Sequence, residues 1–340
     1  VKILVTGHRG YLGALIVPKL LGDGHEVTGL DMGYFDGCDF GETAPPVPAL
    51  DLDLRDVQSE QLQGFDAVIH LAALSNDPLG DLNPGLTYTV NFEGSLLLAE
   101  AAKAAGVGRF LHSSSCSLYG AGSHDELDES AAFNPVTPYG ESKVRAELAI
   151  SRLSADKFAP VFLRNATAYG VSPRLRGDIV VNNLVGSAVT TGEILLRSDG
   201  AAWRPLVHAR DIAAAFIACL EAPLDVVRNQ AFNVGRTGEN YRVIDIARVV
   251  SEIVPGCAVR IQAGSKTDVR DYRVRFDKIA RALPGFKPTW SLRAGVEELF
   301  AAYTSRGLDL DEWSSDRYFR LPRIQSLLRQ GRLDADLRWQ

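Results

Sequence analysis

The opening segment VKILVTGHRGYLG, Val1 to Gly13, restricts the possible folds of this chain more than any other stretch. A short β-rich apolar run ends in glycine, and two more glycines follow at intervals of three, opening the helix-like YLGALIVPKLLGDG. Gly7 permits a tight turn, Gly10 lets backbone approach a pyrophosphate, and Gly13 allows a helix to pack closely on the strand. The helix N-terminus adds N–H groups and positive potential at the same place. A second apolar run, HEVTGLD, completes a βαβ unit, a context that points to dinucleotide binding by this turn, with Arg9, Tyr11 and Leu12 among its residues. Asp31 ends the second run, where an acid can accept hydrogen bonds from both ribose hydroxyls and repel a 2'-phosphate, which favours NAD over NADP. Asp53, in DLDLRD, follows the next expected strand and is a candidate for the adenine edge, with Leu54 beside it.

The strand–helix rhythm continues. FDAVIHLAA reads as a buried strand, NFEGSLLLAEAAKAAG as a helix closed by Gly106, and RFLHSSS as another strand. A helix from about Tyr139 to Ser154 and the strand APVFLRNA follow. Such alternation implies an α/β fold, a Rossmann-type doubly wound parallel sheet with helices on both faces. After Gly170 the rhythm loosens, then RPLVHARDIAAAFIACL and AFNVG resume it. We therefore expect a dinucleotide-binding domain from 1–169 plus about 205–236, and a smaller α/β substrate lobe from about 170–204 plus 237–305. A tail, 306–340, would pack on the body or on a partner subunit.

A hydrophobic share of 46% with 23% charged residues suits a globular protein with a sizeable core. The net charge of -6, without any run of lysines and arginines, argues against a nucleic-acid partner. No stretch approaches the ~18 apolar residues of a membrane span, and because the sequence opens on an apolar strand the expectation is that it carries no leader. The scattered cysteines, Cys38, Cys116, Cys219 and Cys257, lack metal-ligand spacing, so the expectation is a cytoplasmic protein without a metal site.

With Gly7, Gly10, Gly13, Asp31, HLAA, SSSCSLYG and PYGESK in this order, residues 1 to about 300 resemble the extended short-chain dehydrogenases/reductases, specifically the NAD-dependent nucleotide-sugar epimerase/dehydratase family. The resemblance implies that Tyr139 is the catalytic acid/base, that Lys143 holds the nicotinamide ribose, and that Ser115 hydrogen-bonds the reacting oxygen. It places Leu71, Ala72, Ala73, Asn91 and Ser113 with the cofactor. Ser75, Asn76, Cys116 and Ser117 fall with the sugar, and Asn183, Arg204 and Arg270 with the nucleotide diphosphate. It also implies a homodimer built from the helices that begin near Asn91 and Tyr139.

Tyrosine, with an ordinary pKa near 10, is a poor base at neutral pH unless lowered by ~3 units. A lysine four residues on lies on the same helical face and, with the positive nicotinamide ring, would supply that order of stabilisation. Family 4,6-dehydratases place an Asp–Glu pair after the Ser/Thr; here Cys116 and Ser117 offer none. Cys116 reads better as a buried thiol than as an acid/base group, and His70, His112 and His208 as packing residues. Arg174 and Arg176 could meet a diphosphate or be solvated. Thr167 stands where relatives carry an asparagine, with Asn165 two residues earlier. The reading is an NAD-dependent nucleotide-sugar epimerase working through a transient 4-keto sugar. The alternatives are a dehydratase or keto-sugar reductase of the same family, or a non-catalytic dinucleotide-sensing protein.

Overall fold

A computed structural model describes residues 1–266, 268 and 270–340, with the side chains at 122–125 and 263–266 outside the description. Its main sheet has seven strands: β1 (Lys2–Thr6), β2 (Glu26–Leu30), β3 (Ala49–Leu50), β4 (Ala67–His70), β5 (Arg109–Ser115), β6 (Ala159–Asn165) and β7 (Gln230–Val234). They lie in the order β7-β6-β5-β4-β1-β2-β3, all parallel. Parallel strands covered on both faces read as continuous apolar runs. Accordingly, Ile3 and Val5 of β1 enter one core while Leu4 enters another.

The first core receives α1 (Gly13–Gly22), through Ile16, Val17 and Leu20, and a later helix spanning Ala209–Glu221, through Ile212 and Phe216. The second receives α2 (Gly94–Ala104), through Leu98 and Ala102, and α3 (Pro138–Ser151), through Ala146 and Ile150. The order of strand addition reverses between β1 and β4. In open α/β sheets ligands bind beyond the strand C-termini at that switch point.

The expected helix at Asn91 begins as a π turn, Thr89–Glu93, before α2. Such turns cluster at functional positions, and this one lets Asn91 hold both backbone groups of Leu74. RPLVH does not join the main sheet. Its strand, Trp203–His208, pairs with Thr167–Tyr169 and Asn240–Arg242 in a separate three-stranded sheet.

The lobe has its own core, formed by helices Val180–Thr191, Val243–Ile253 and Leu292–Arg306 with Tyr169, Leu206 and Tyr303. One segment assigned to the lobe from sequence packs elsewhere: Tyr272, Val274, Phe276 and Phe286 belong to the main-sheet core. Phe276 lies where a Cβ on Gly235 would be 2.7 Å from its ring. The tail packs on the body. Trp313 and Tyr318 enter the lobe core, and the final helix, Arg320–Arg329, sets Ile324 and Leu327 against Leu74, Leu79 and Leu86. No described helix is long and apolar enough to cross a membrane.

Candidate active site

A cavity of about 550 Å³ opens where β1, β4 and β5 end, bounded by the lobe and the tail. Its floor is the glycine turn. Gly7 has φ +71°, and a Cβ there would lie 2.8 Å from the Ala72 nitrogen; on Gly13 it would lie 2.3 Å from the Gly7 carbonyl oxygen. Any side chain would fill the cradle or break the contact of α1 with the turn. No side chain caps α1, so its N-terminal potential faces the cavity. These features fit a dinucleotide pyrophosphate.

Gly10, Tyr11, Leu12, Asp53, Leu54, Leu71, Ala72, Ala73 and Ser113 also line the cavity. Asp31 is held at its edge by the backbone N–H groups of Arg9 (3.0 Å) and Gly33 (2.9 Å). The Arg9 guanidinium pairs with Asp36 (3.2 Å) and Asp51 (3.3 Å), so it is not a free cation for a 2'-phosphate. The Asp53 carboxylate is spent on Arg55, at 2.5 and 2.9 Å, which leaves its side chain little capacity for adenine. Asn91 is fully buried and outside the cavity lining, bonded to Leu74 and Ser142, so it orients the loop that borders the cavity.

Strand parity sorts the residues of β5. Ser113 and Ser115, with Ser117 just beyond, line the cavity, and Ser114 borders it although its hydroxyl donates to Glu147 (3.0 Å), whereas His112 and Cys116 are buried away from it. Cys116 is therefore the buried thiol that the sequence favoured, and it does not line the cavity with the sugar-facing residues. Its thiol is buried, donates to the Arg164 carbonyl (3.2 Å), and is pushed up in pKa by burial.

The hydroxyl of Ser115 accepts from the Ser117 amide (3.1 Å) and hydroxyl (2.8 Å) and lies close enough to the Tyr139 phenol to lower its pKa slightly. Thr137 caps α3 by accepting from the Gly140 N–H (3.1 Å), and Pro138 occupies the first turn. This start places Tyr139 and, one turn on, Lys143 at the cavity. The Lys143 ammonium donates to the Ser113 carbonyl at 2.8 Å and lies 5.8 Å from the Tyr139 ring centre.

Burial lowers Lys143 to about 8. Burial, then the Asp77 carboxylate, raises Tyr139 to about 12, against smaller opposing effects of Arg176 and Ser115. The expected lowering of the phenol is thus not achieved by the protein groups alone. Desolvation outweighs the nearby cations, and the lysine is directed at a carbonyl.

At the far end Arg204 and Arg270 share Asp268, each at 2.7 Å, and Arg270 also reaches Asp77 at 2.5 Å. Two arginines and two carboxylates thus form a neutral chain along the wall. Asn183 lines the wall and donates to the Gly177 carbonyl (2.8 Å). Ser75 and Asn76 lie above Tyr139's side of the cavity, tied to Arg176 (2.9 Å) and Asp178 (2.7 Å). Thr167 and Asn165 line the cavity as well, and Asn165 bonds Ser113 (3.1 Å). Arg176 joins the cavity, whereas Arg174 pairs with Asp39 (3.2 Å).

His70 bonds Thr6 and Ser95, and His208 stacks on Trp290 and pairs with Glu298. His112 is buried against His70 and Phe162, and its ring nitrogens have no hydrogen-bond partner among the described residues. Sequence reasoning missed Asp77, Asp268 and Arg320. Asp77 had a signal, since Asn-Asp-Pro marks a helix start; Arg320 had none. Among the described residues no cluster has the makings of a metal site.

Residues 3–235 match the model of the NAD dependent epimerase/dehydratase family. The chain is 30% identical over 248 residues to a UDP-glucose 4-epimerase of Mycolicibacterium smegmatis, covering 69% of this chain and 77% of that one. It is 27% identical to UDP-glucuronic acid decarboxylase 1 of Arabidopsis thaliana, covering 92% and 72%. The solved structure of an NAD dependent NDP-hexosamine 5,6-dehydratase of tunicamycin biosynthesis superposes with a TM-score of 0.80 at 22% identity, over 91% of this chain and 99% of that one, a likeness of fold.

Proposed function

Because the chain belongs to the NAD dependent epimerase/dehydratase family, we propose that it is a nucleotide-sugar epimerase acting at C4 with retained NAD. One observation carries the choice: the segment Ser115–Ser117 shows the cavity two hydroxyls and no carboxylate, with Cys116 turned away. The groups needed for alcohol oxidation and ketone reduction, Tyr139, Lys143 and Ser115, converge in the same cavity.

NAD⁺, when bound, supplies the hydride acceptor and a positive charge. Tyr139 would take the C4 hydroxyl proton, with Ser115 holding the same oxygen. A phenol at about 12 must be brought down by ~5 units, or ~7 kcal/mol, to act at neutral pH. The Lys143 ammonium contributes to this in its charged form, which dominates below pH 8. After the 4-keto sugar turns over within the cavity, Tyr139 returns the proton to the ketone oxygen. Arg204, Arg270 and Asn183 would anchor the diphosphate while the sugar rotates.

Asp77 favours a second reading. It places a carboxylate beside Tyr139 that could serve dehydration. We propose a homodimer through the outer faces of α2 and α3, where Leu148 is exposed. The test is to incubate the purified protein with a panel of nucleotide sugars without added cofactor and analyse products by isomer-resolving mass spectrometry. A product of unchanged mass is expected; loss of water would replace this reading with dehydration, and loss of carbon dioxide with decarboxylation.

A further inference from the structure

The tail lies beyond the matched residues 3–235, yet it forms a wall of the cavity through Arg320 and Ile324. Arg320 is 3% exposed and its Nη1 has no hydrogen-bond partner. Its Nη2 makes one long contact, 3.4 Å, to the Arg174 carbonyl, and its guanidinium stacks over Phe35 at 4.0 Å. Its arginine neighbours are compensated, Arg174 by Asp39 (3.2 Å) and Arg176 by Asp178 (2.9 Å). Among the described residues no carboxylate lies within ion-pair distance of the Arg320 guanidinium. Burial, with Arg176 adding to it, brings Arg320 down to about 10. A buried guanidinium without a counter-charge is costly, and proteins keep such groups where something anionic completes them.

We propose that Arg320 is a ligand of a diphosphate entering this cavity, and specifically of the cofactor's, so that the C-terminal segment is part of the NAD site. The position favours the cofactor over the nucleotide sugar. Phe35, beneath Arg320, belongs to the loop that follows Asp31, and Arg176 bonds the Ser75 loop that follows Ala72 and Ala73. The nucleotide-sugar end has its own arginines, 204 and 270. The same tail also fastens over the adenosine side. The Trp339 indole donates to the Met32 carbonyl (2.6 Å), the Tyr34 hydroxyl to the Leu337 carbonyl (2.5 Å), and Arg55 to the Asp336 carbonyl (2.9 Å). The inference rests on NAD as cofactor and is independent of which sugar reaction follows.

The experiment uses full-length protein stripped of nucleotide, with Arg320→Met and Arg320→Lys variants. NAD and, in a second arm, uridine and thymidine diphosphates are titrated by calorimetry, and urea unfolding is followed with and without NAD. Arg320→Met should weaken NAD about ten- to hundredfold, the loss expected for a hydrogen bond to a charged group. Arg320→Lys should recover part of it, and nucleoside diphosphate binding should be unchanged. The nucleotide-free Met variant should unfold at the same or a higher urea concentration than wild type, because an uncompensated charge has gone. Unchanged NAD affinity in either folded variant would overturn the proposal, as would a loss confined to nucleoside diphosphates. If the Met variant does not fold, the Lys variant decides: NAD affinity equal to wild type, despite loss of the forked donor, refutes the assignment.

Discussion

Replacing Lys143 with methionine should make the nucleotide-free protein more stable at neutral pH while removing its activity. Lys143 is 3% exposed, and burial takes its pKa from 10.5 to about 8. That drop corresponds to ~3 kcal/mol of penalty on the charged form. Below pH 8 the folded and unfolded chains both carry the proton, so the folded chain bears the full penalty. Between pH 8 and 10.5 the folded chain has released its proton and the unfolded chain has not, so wild-type stability rises through this window.

Methionine is of similar length and removes the charge, but it strands the Ser113 carbonyl that the ammonium meets at 2.8 Å, at a cost of ~1–2 kcal/mol. The net expectation at pH 7 is a gain of ~1 kcal/mol. By pH 10.5 the wild type has shed its penalty and the variant should be the less stable of the two. Urea unfolding of both proteins at intervals from pH 7 to 10.5, beside turnover at pH 7, measures this directly. A variant less stable at pH 7, with a difference that does not change with pH, would refute the reasoning and make Lys143 an ordinary structural residue.

Tyr139→Phe should retain bound NAD and lose ~10²–10⁴ in turnover; turnover within about twofold of wild type, measured on the substrate that the nucleotide-sugar panel identifies, would remove Tyr139 from the chemistry. Asp77→Asn takes away a charge that raises the phenol, so the acidic limb of the activity profile should move down by ~1 pH unit, and an unmoved limb would show that Arg270 already cancels Asp77. Cys116→Ala should leave turnover within about twofold and cost ~1 kcal/mol of stability; a large loss of turnover with intact fold would return the thiol to the mechanism. His112 is held neutral by burial far below its ordinary 6.5, so the unfolded chain gains a proton below that pH that the folded chain cannot. His112→Phe should therefore be less sensitive to acid, by up to ~1.4 kcal/mol per pH unit below 6.5, and identical acid-unfolding curves would count against this.

The parts of the site read from sequence were those determined by local pattern. The turn after β1 and the start of α3 each carry their own signals, a glycine spacing in one and Thr-Pro before an amphipathic run in the other, and both formed as expected. Cys116 was also legible: period-two alternation from Ser113 and Ser115 puts it on the opposite face. The partner of Asn91 was not legible, because the π turn around it answers to the Leu74 loop, a contact across seventeen residues. Asp77 and Arg320 were hidden for a different reason. Asp77 carried only a local helix-start signal and Arg320 none, and each acquires its surroundings from segments about 190 and 145 positions away in the chain, Arg270 for one and Arg174 for the other. The lobe boundary failed at Tyr272–Phe286 because an apolar run does not say which of two cores will take it.

The alternation along β5 sets a rule for how this enzyme can change. A substitution at His112, Ser114 or Cys116 leaves Ser113 and Ser115 on the cavity side, since neighbours keep their sides. Adding or removing a single residue within the strand would instead turn the hydroxyls of Ser113 and Ser115 inward and present imidazole and thiol to the ligand. Related proteins should therefore vary more readily in the identity of residues 112, 114 and 116 than in the number of residues in this strand, and a library that includes insertions and deletions in β5 should lose every one of them.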